Sequence, residues 1–181
     1  MALSKIQAES MNLADTYAFT GTISGIPSGV TEADQWRLTA NFNSDASPIS
    51  SNLARDTSSY FSKLGTGMTQ SGGTFTFPST GYWLVVFNAT GSQNGGTEPD
   101  ANVQIHATTN GSSFAQATGV KFAQNDEQSI TKWSVQTSFI FDITNTSTHK
   151  VQFHVNAITT QTYVAGGNNR TFMQFIKLGD T

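Results

Sequence analysis

The chain has 181 residues with a formal net charge of −3, and only 12% of its residues are charged. This length suits one domain with its own hydrophobic core. Its nine Lys and Arg residues are scattered singly, which argues against the clustered basic face of a nucleic-acid-binding protein. The lack of cysteine excludes a disulfide framework and a thiolate metal site. No apolar run suits a membrane span or a signal peptide, so we expect a protein made in the cytoplasm without membrane insertion.

Residues 1–25 differ from the rest of the chain because their apolar side chains are spaced irregularly among small polar residues. The large ones are Leu3, Ile6, Leu13, Tyr17 and Phe19. Two interpretations remain open: a partly disordered terminus, and an extended arm that anchors the protein by burying these side chains on a partner. We therefore divide the chain into an N-terminal anchoring arm, residues 1–25, and a domain, residues 26–181.

Short segments with a period-two pattern recur from about residue 32 to the end of the chain, and polar turns rich in Gly and Asn separate them. Residues 43–57 and 93–100 are predicted to be polar loops, the second of them exposed. Helical periodicity is absent, so the pattern predicts an all-β sandwich of about ten antiparallel strands. The predicted strands are 35–42, a short one entered through Tyr60 and Phe61, two within 73–90, and 103–107, 113–122, 133–143, 148–158 and 171–178.

Residues 73–87 carry the most specific pattern, Gly-x-Phe-x-Phe-Pro-x-x-Gly-x-Trp-x-x-x-Phe. Phe75 and Phe77 alternate with threonines as in a half-buried strand, and Pro78 ends that strand. The pattern resembles the central signature of the complement C1q-type globular head and of its sister, the tumour necrosis factor jelly roll. The resemblance covers most of residues 35–178, although the glycine usual in the last strand is not obvious. It implies a jelly-roll β-sandwich that assembles as a homotrimer and works by binding, without an active site.

The strand predicted at residues 81–90 has large apolar residues on both of its phases, and so does the last strand. A sandwich strand with one face in water should carry them on one phase only. Two explanations remain open: a loop that covers the second face, and a second face that is buried between subunits. Since the resemblance implies a trimer, we assign four side chains to the subunit interface: Trp83, Phe87, Met173 and Phe175.

The sequence contains no constellation of residues that supports catalysis, so we expect a protein that is not an enzyme. Its three histidines show no spacing typical of metal ligands, and no nucleophile-elbow motif occurs. An enzyme such as a polysaccharide depolymerase is disfavoured, because the chain shows no constellation of residues that could carry out its catalysis. We expect no cofactor; one alternative is Ca²⁺ bound by loop carboxylates, although solvated loop charges explain the same pairs. The pairs are Glu98 with Asp100, and Asp126 with Glu127.

Residues 4–22 resemble N-terminal segments of small virion proteins of marine tailed bacteriophages. The chain also lacks the signal peptide and collagen-like stalk of the secreted animal members of the C1q-type family. Together these features favour a structural protein of a phage virion: a trimeric knob held on the particle by its arm, as a capsid decoration, a head fibre or a tail-fibre component. Its partners would be other virion proteins. The alternative is a receptor- or carbohydrate-binding adhesin module whose loops 93–100 and 161–170 contact a host glycan.

Overall fold

The computed structural model describes residues 29–61, 63–125 and 129–181, and these residues form eleven β-strands and no helix. This confirms the prediction of an all-β fold. The predicted anchoring arm, residues 1–25, lies outside the described residues, as does the start of the predicted domain. The strands are β1 Ala33–Leu38, β2 Leu53–Arg55, β3 Thr69–Ser71, β4 Thr74–Thr76, β5 Gly81–Asn94, β6 Glu98–Thr108, β7 Ala115–Gln124, β8 Ile130–Ile143, β9 Lys150–Asn156, β10 Thr162–Val164 and β11 Phe172–Gly179.

The strands form two antiparallel sheets. Sheet A contains β8, β5, β11, β1 and β2 in that order, and sheet B contains β3, β4, β9, β6 and β7. Because β8 pairs with β5 from Gly81 to Asn94, β10 and β11 must share the other edge of β5. There β11 pairs as far as Asn88, and β10 pairs from Gly91 onward. A chain that crosses repeatedly between two antiparallel sheets in this way is a jelly-roll sandwich.

The hydrophobic core lies between the two sheets and is rich in aromatic rings. Phe75 on β4 is fully buried at its centre. Its ring centroid lies 5.2 Å from that of Phe175, 5.3 Å from that of Phe153 and 5.4 Å from that of Trp36. These partners come from both sheets, and the edge-on and tilted geometries are those that aromatic rings prefer. The cluster therefore joins sheet A to sheet B.

One buried carboxylate fixes the end of sheet A that contains β1 and β2. Asp34 is 2% exposed, and its Oδ1 lies 2.9 Å from Nε of Arg55 on β2. The indole Nε1 of Trp36 and the backbone N–H of Met68 donate to its other oxygen, at 3.0 and 2.8 Å. A buried charge is tolerated only when it is paired and hydrogen-bonded in this manner. The network holds β1, β2 and the chain before β3 together.

Two predicted strands differ from those observed at the N-terminal side of the domain. β1 ends at Leu38, and Phe42 forms only an isolated bridge to Val164. Tyr60 is 97% exposed and outside any strand; the short strands that follow it are β3, which pairs with β4, and β4, which pairs with β9. Aromatic residues in sequence thus marked the region of a strand but not its position.

The predicted exposed loop at residues 93–100 was wrong. β5 runs to Asn94 and β6 starts at Glu98, so only a tight turn separates them. Glu98 is fully buried, and one of its carboxylate oxygens accepts hydrogen bonds from the backbone N–H and hydroxyl of Thr159 and from the hydroxyl of Thr162. These donors, from residues just before and within β10, satisfy that oxygen, whereas Oε1 of Glu98 is buried without a hydrogen-bond partner among the described residues.

Candidate functional site

The four side chains predicted to form the subunit interface lie inside one chain instead. Trp83, Phe87, Met173 and Phe175 are all fully buried in the core between the sheets. Phe87 packs on Phe153 of sheet B, with ring centroids 5.1 Å apart. Side chains buried in this way have no surface left for a second chain, so the assignment was wrong. The two strands carry apolar residues on both phases, and the phase predicted to form the interface is the one that faces the core.

The opposite phase of the same strands forms the outer face of sheet A and carries an apolar row. Ile140 on β8 is the direct cross-strand partner of Leu84 on β5, and Leu84 is the partner of Ile176 on β11. Ile140 is 61% exposed, whereas Leu84 and Ile176 are half-buried. Next to Leu84 on the same phase of β5 lies Tyr82, which is 44% exposed. We call Tyr82, Leu84, Ile140 and Ile176 the apolar row.

Polar residues border the apolar row. One step along the strands, Gln174 on β11 lies opposite Gln35 on β1, and its amide donates to the Gln35 side-chain oxygen at 2.7 Å. On the other side, Tyr82 lies opposite Asp142, whose Oδ1 is buried and has no hydrogen-bond partner within the described residues. An apolar centre with a polar rim is the usual anatomy of a protein–protein interface. The outer face of sheet A is therefore the candidate association surface.

The outer face of sheet B is polar and carries a pair of stacked histidines. The rings of His106 on β6 and His154 on β9 are 3.9 Å apart and 10° from parallel. His154 shares hydrogen bonds with the Ser47 hydroxyl at 3.0 Å and with Gln152 at 3.3 Å, and His106 with Gln104 at 2.9 Å. Burial, and then the neighbouring His106, lower the pKa of His154 to about 4. Burial also lowers the pKa of His106. Both rings are therefore neutral at physiological pH.

The carboxylate pairs considered for Ca²⁺ do not form a shared site where they are described. Glu98 points into the sandwich, while Asp100 is exposed and pairs with Nζ of Lys121 at 2.9 Å. Asp126 and Glu127 lie outside the described residues. Among residues 29–61, 63–125 and 129–181, no three His, Cys, Asp or Glu side chains are grouped to hold a metal ion. The described part of the chain also contains no helix long and apolar enough to cross a membrane.

The sequence contained a pattern that could have shown that Leu84, and not Trp83, lies on the outer face of sheet A. The phase of β5 that includes Leu84 continues through Asn88 and Thr90, whereas the phase that includes Trp83 continues through Ala89 and Gly91. Polar residues at the end of a phase indicate the face that meets solvent or a partner. That distinction would have placed Trp83 in the core and Leu84 outside.

Comparison with solved structures identifies the fold. Eiger TNF from S. frugiperda has a TM-score of 0.61 and 14% identity, over 85% of this chain and 96% of that chain. Murine APRIL, in a crystal structure at pH 5.0, has a TM-score of 0.58 and 9% identity, over 81% of this chain and 98% of that chain. No protein-family model and no curated protein sequence matches the chain. At these identities the likeness shows the fold alone, and the fold is a jelly roll of the tumour necrosis factor type.

Proposed function

We propose that the chain is a trimeric structural module that works by binding, and that the outer face of sheet A joins its copies. The observation that carries this proposal is the apolar row, which places Leu84, Ile140 and Ile176 side by side on the outside of a sheet. Burial of a fully exposed side chain of this kind contributes roughly 1.5–3 kcal/mol, and Leu84 and Ile176, which are already half-buried, would each contribute less. An apolar surface whose burial stabilises association is suited to contact between copies.

A threefold assembly suits this surface and the resemblance seen in residues 73–87. A cyclic trimer closes when one patch of each copy meets a different patch of the next, so the same pair of surfaces is buried three times. The apolar row would supply one of these patches. The buried, unpartnered oxygen of Asp142 beside Tyr82 would then be satisfied by a donor from the neighbouring copy.

We further propose that the trimer is a knob on a phage particle, a capsid decoration or a fibre component, held by the arm of residues 1–25. The support is the resemblance of residues 4–22 to virion proteins and the number of large apolar side chains in the arm. Three arms leaving one trimer would bind with avidity, so a modest affinity for each arm would suffice. The partners would be other virion proteins.

Two measurements test the proposal. Light scattering of the full chain should give three times the chain mass of 19.4 kDa at micromolar concentration, and a monomer would contradict the trimer. A chain that lacks residues 1–25 should remain a trimer but no longer join the particle. If the shortened chain still assembles onto virions, attachment lies on the sandwich and the proposed role of the arm is wrong.

A further inference from the structure

A cleft lies at the end of sheet A where β10 runs beside β5. Its volume is about 310 Å³. A row of direct cross-strand partners crosses it: Lys132 on β8, Ser92 on β5 and Tyr163 on β10. Arg170, just before β11, also lines it. The cleft thus brings together residues from four separate parts of the chain.

The cleft is positively charged although the whole chain is negative. Lys132 and Arg170 are its ionisable lining residues, and no Asp or Glu lines it. Both side chains are exposed, and neither takes part in the ion pairs of the described residues, which join Arg55 to Asp34, Lys121 to Asp100 and Lys177 to Asp180. Two cations that converge on one cleft without a carboxylate favour an anionic ligand.

The cleft also offers hydroxyl groups that are not yet paired. The hydroxyl oxygen of Thr90 is buried and has no hydrogen-bond partner within the described residues. A buried polar atom without a partner costs free energy, which a ligand with hydroxyl or carboxylate groups would recover. The Ser92 and Tyr163 hydroxyls lie in the neighbouring row. Several hydroxyls around a cationic centre suit a ligand that is itself rich in hydroxyl groups.

The wall of the cleft is closely packed at Gly91. A Cβ atom at this position would lie 2.0 Å from the carbonyl oxygen of Tyr163 and 2.4 Å from the Trp133 ring. Trp133 in turn stacks on Phe122 of sheet B, with ring centroids 4.2 Å apart. A site whose supporting groups are fixed before binding loses less entropy when the ligand arrives.

We propose that this cleft binds an acidic saccharide, a sugar that carries a carboxylate or sulfate group. Arg170 and Lys132 bind the anionic group, and the hydroxyls of Thr90 and Ser92 pair with ring hydroxyls of the sugar. Tyr163 offers an aromatic face for the apolar side of the sugar ring together with its own hydroxyl. This inference goes beyond the assembly role proposed above. The cleft opens on the outer face of sheet A, eight residues along β5 from Leu84, so the contact between copies must leave this end of the face open.

The test is calorimetric titration of the full chain with an oligogalacturonate, a sulfated oligosaccharide, the matching neutral oligosaccharide and inorganic sulfate. We expect one or both acidic saccharides to bind and the neutral one to bind at least about tenfold more weakly, since it lacks the group that would form charged hydrogen bonds. Arg170→Ala and Lys132→Ala should each weaken binding about tenfold. Lys121→Ala removes the same charge on sheet B, so it should leave the affinity unchanged.

Each contrary outcome overturns the proposal. Equal binding of neutral and acidic saccharides would show that the site does not recognise the anionic group. Inorganic sulfate that binds as tightly as the saccharides would show a simple anion site. Absence of binding, or equal weakening by Lys121→Ala, would remove the site altogether. Light scattering of the same samples keeps the two proposals apart, because a monomer that binds the saccharide contradicts only the trimer, and a trimer that does not bind contradicts only this site.

Discussion

The outer faces of the two sheets are built from strands of the same kind but present opposite chemistry. On sheet A, Leu84, Ile140 and Ile176 lie side by side on three neighbouring strands. At the corresponding place on sheet B, Gln104 and His106 of β6 face His154 and Gln152 of β9. The inner faces of both sheets are apolar, so the two sheets differ in the chemistry of their outer faces. The outer face of sheet B is polar, whereas the outer face of sheet A carries an apolar row suited to contact with another surface.

The comparison shows that a two-sided apolar strand reports on assembly as well as on burial. β9 alternates strictly, with Val151, Phe153 and Val155 in the core and polar residues outside. β5 and β11 break that alternation, since Leu84 and Ile176 of the apolar row, and also Val86 and Phe172, lie on their outer phase. The extra hydrophobic residues thus lie on and beside the apolar row, on the face that we propose as the interface.

The largest effect should come from the core that both faces share. Phe75→Ala removes the ring that joins β4 to both sheets and leaves a cavity, so the free energy of unfolding should fall by about 3–5 kcal/mol. Denaturant titration of the full chain measures this change. Tyr60→Ala, at a site that is 97% exposed, serves as control and should shift stability by less than about 0.5 kcal/mol. A loss below about 1 kcal/mol for Phe75→Ala would mean that the cluster does not unite the sheets.

A charge in the apolar row should separate the two outer faces sharply. Ile140→Asp places a carboxylate where we propose burial between copies, and association should weaken at least about 100-fold, the equivalent of about 2.7 kcal/mol. Since Ile140 is 61% exposed in one chain, the fold itself should tolerate the change. Thr76→Asp adds the same charge on sheet B beside Lys150 and should leave the trimer intact. Sedimentation velocity measures both variants; a stable trimer of Ile140→Asp would contradict the account.

A smaller effect should distinguish the faces by their response to pH. The pKa of His154 is lowered from 6.5 to about 4, so the unfolded chain takes up the proton first as the pH falls. This contribution to stability is therefore complete above about pH 6.5 and should fall between pH 6.5 and 4, by about 2 kcal/mol once solvent screening at this outer face is allowed for. His154→Gln should flatten that part of the stability profile, and His106→Gln should flatten it partly. An unchanged profile for His154→Gln would refute this role of the stacked pair.

Much of the fold was predictable because its strands alternate cleanly. The alternating pattern alone predicts which side of a strand faces the core. This holds for Val103 and Ile105 on β6 and for Phe75 and Phe77. The phase of β5 was harder, since Trp83 and Leu84 are both large and apolar. Only the polar residues further along β5 distinguish the phase of Leu84 from that of Trp83. The pairing of β5 with β8 then shows which phase faces outward.

Other features depend on contacts that no local pattern contains. Glu98 resembles a loop carboxylate in sequence, yet its hydrogen-bond donors come from Thr159 and Thr162, more than sixty residues away. The cationic cleft likewise needs Lys132 and Tyr163 to meet across β5. Scattered single charges, which argued against a basic face, still converge on one cleft when strand order brings them together. Sites of this kind are set by topology and not by spacing along the chain.

The most direct test of the central claim uses the fact that the chain contains no cysteine. A single thiol introduced as Ile140→Cys can be compared with one introduced as Ser71→Cys, which lies exposed on sheet B. If copies associate through the outer face of sheet A, maleimide should modify the native protein many times more slowly at position 140 than at position 71. The rates should become equal in denaturant. Ile140 is 61% exposed in one chain, so equal rates in the native protein are expected if the outer face of sheet A is open to solvent. Equal rates would therefore contradict the account.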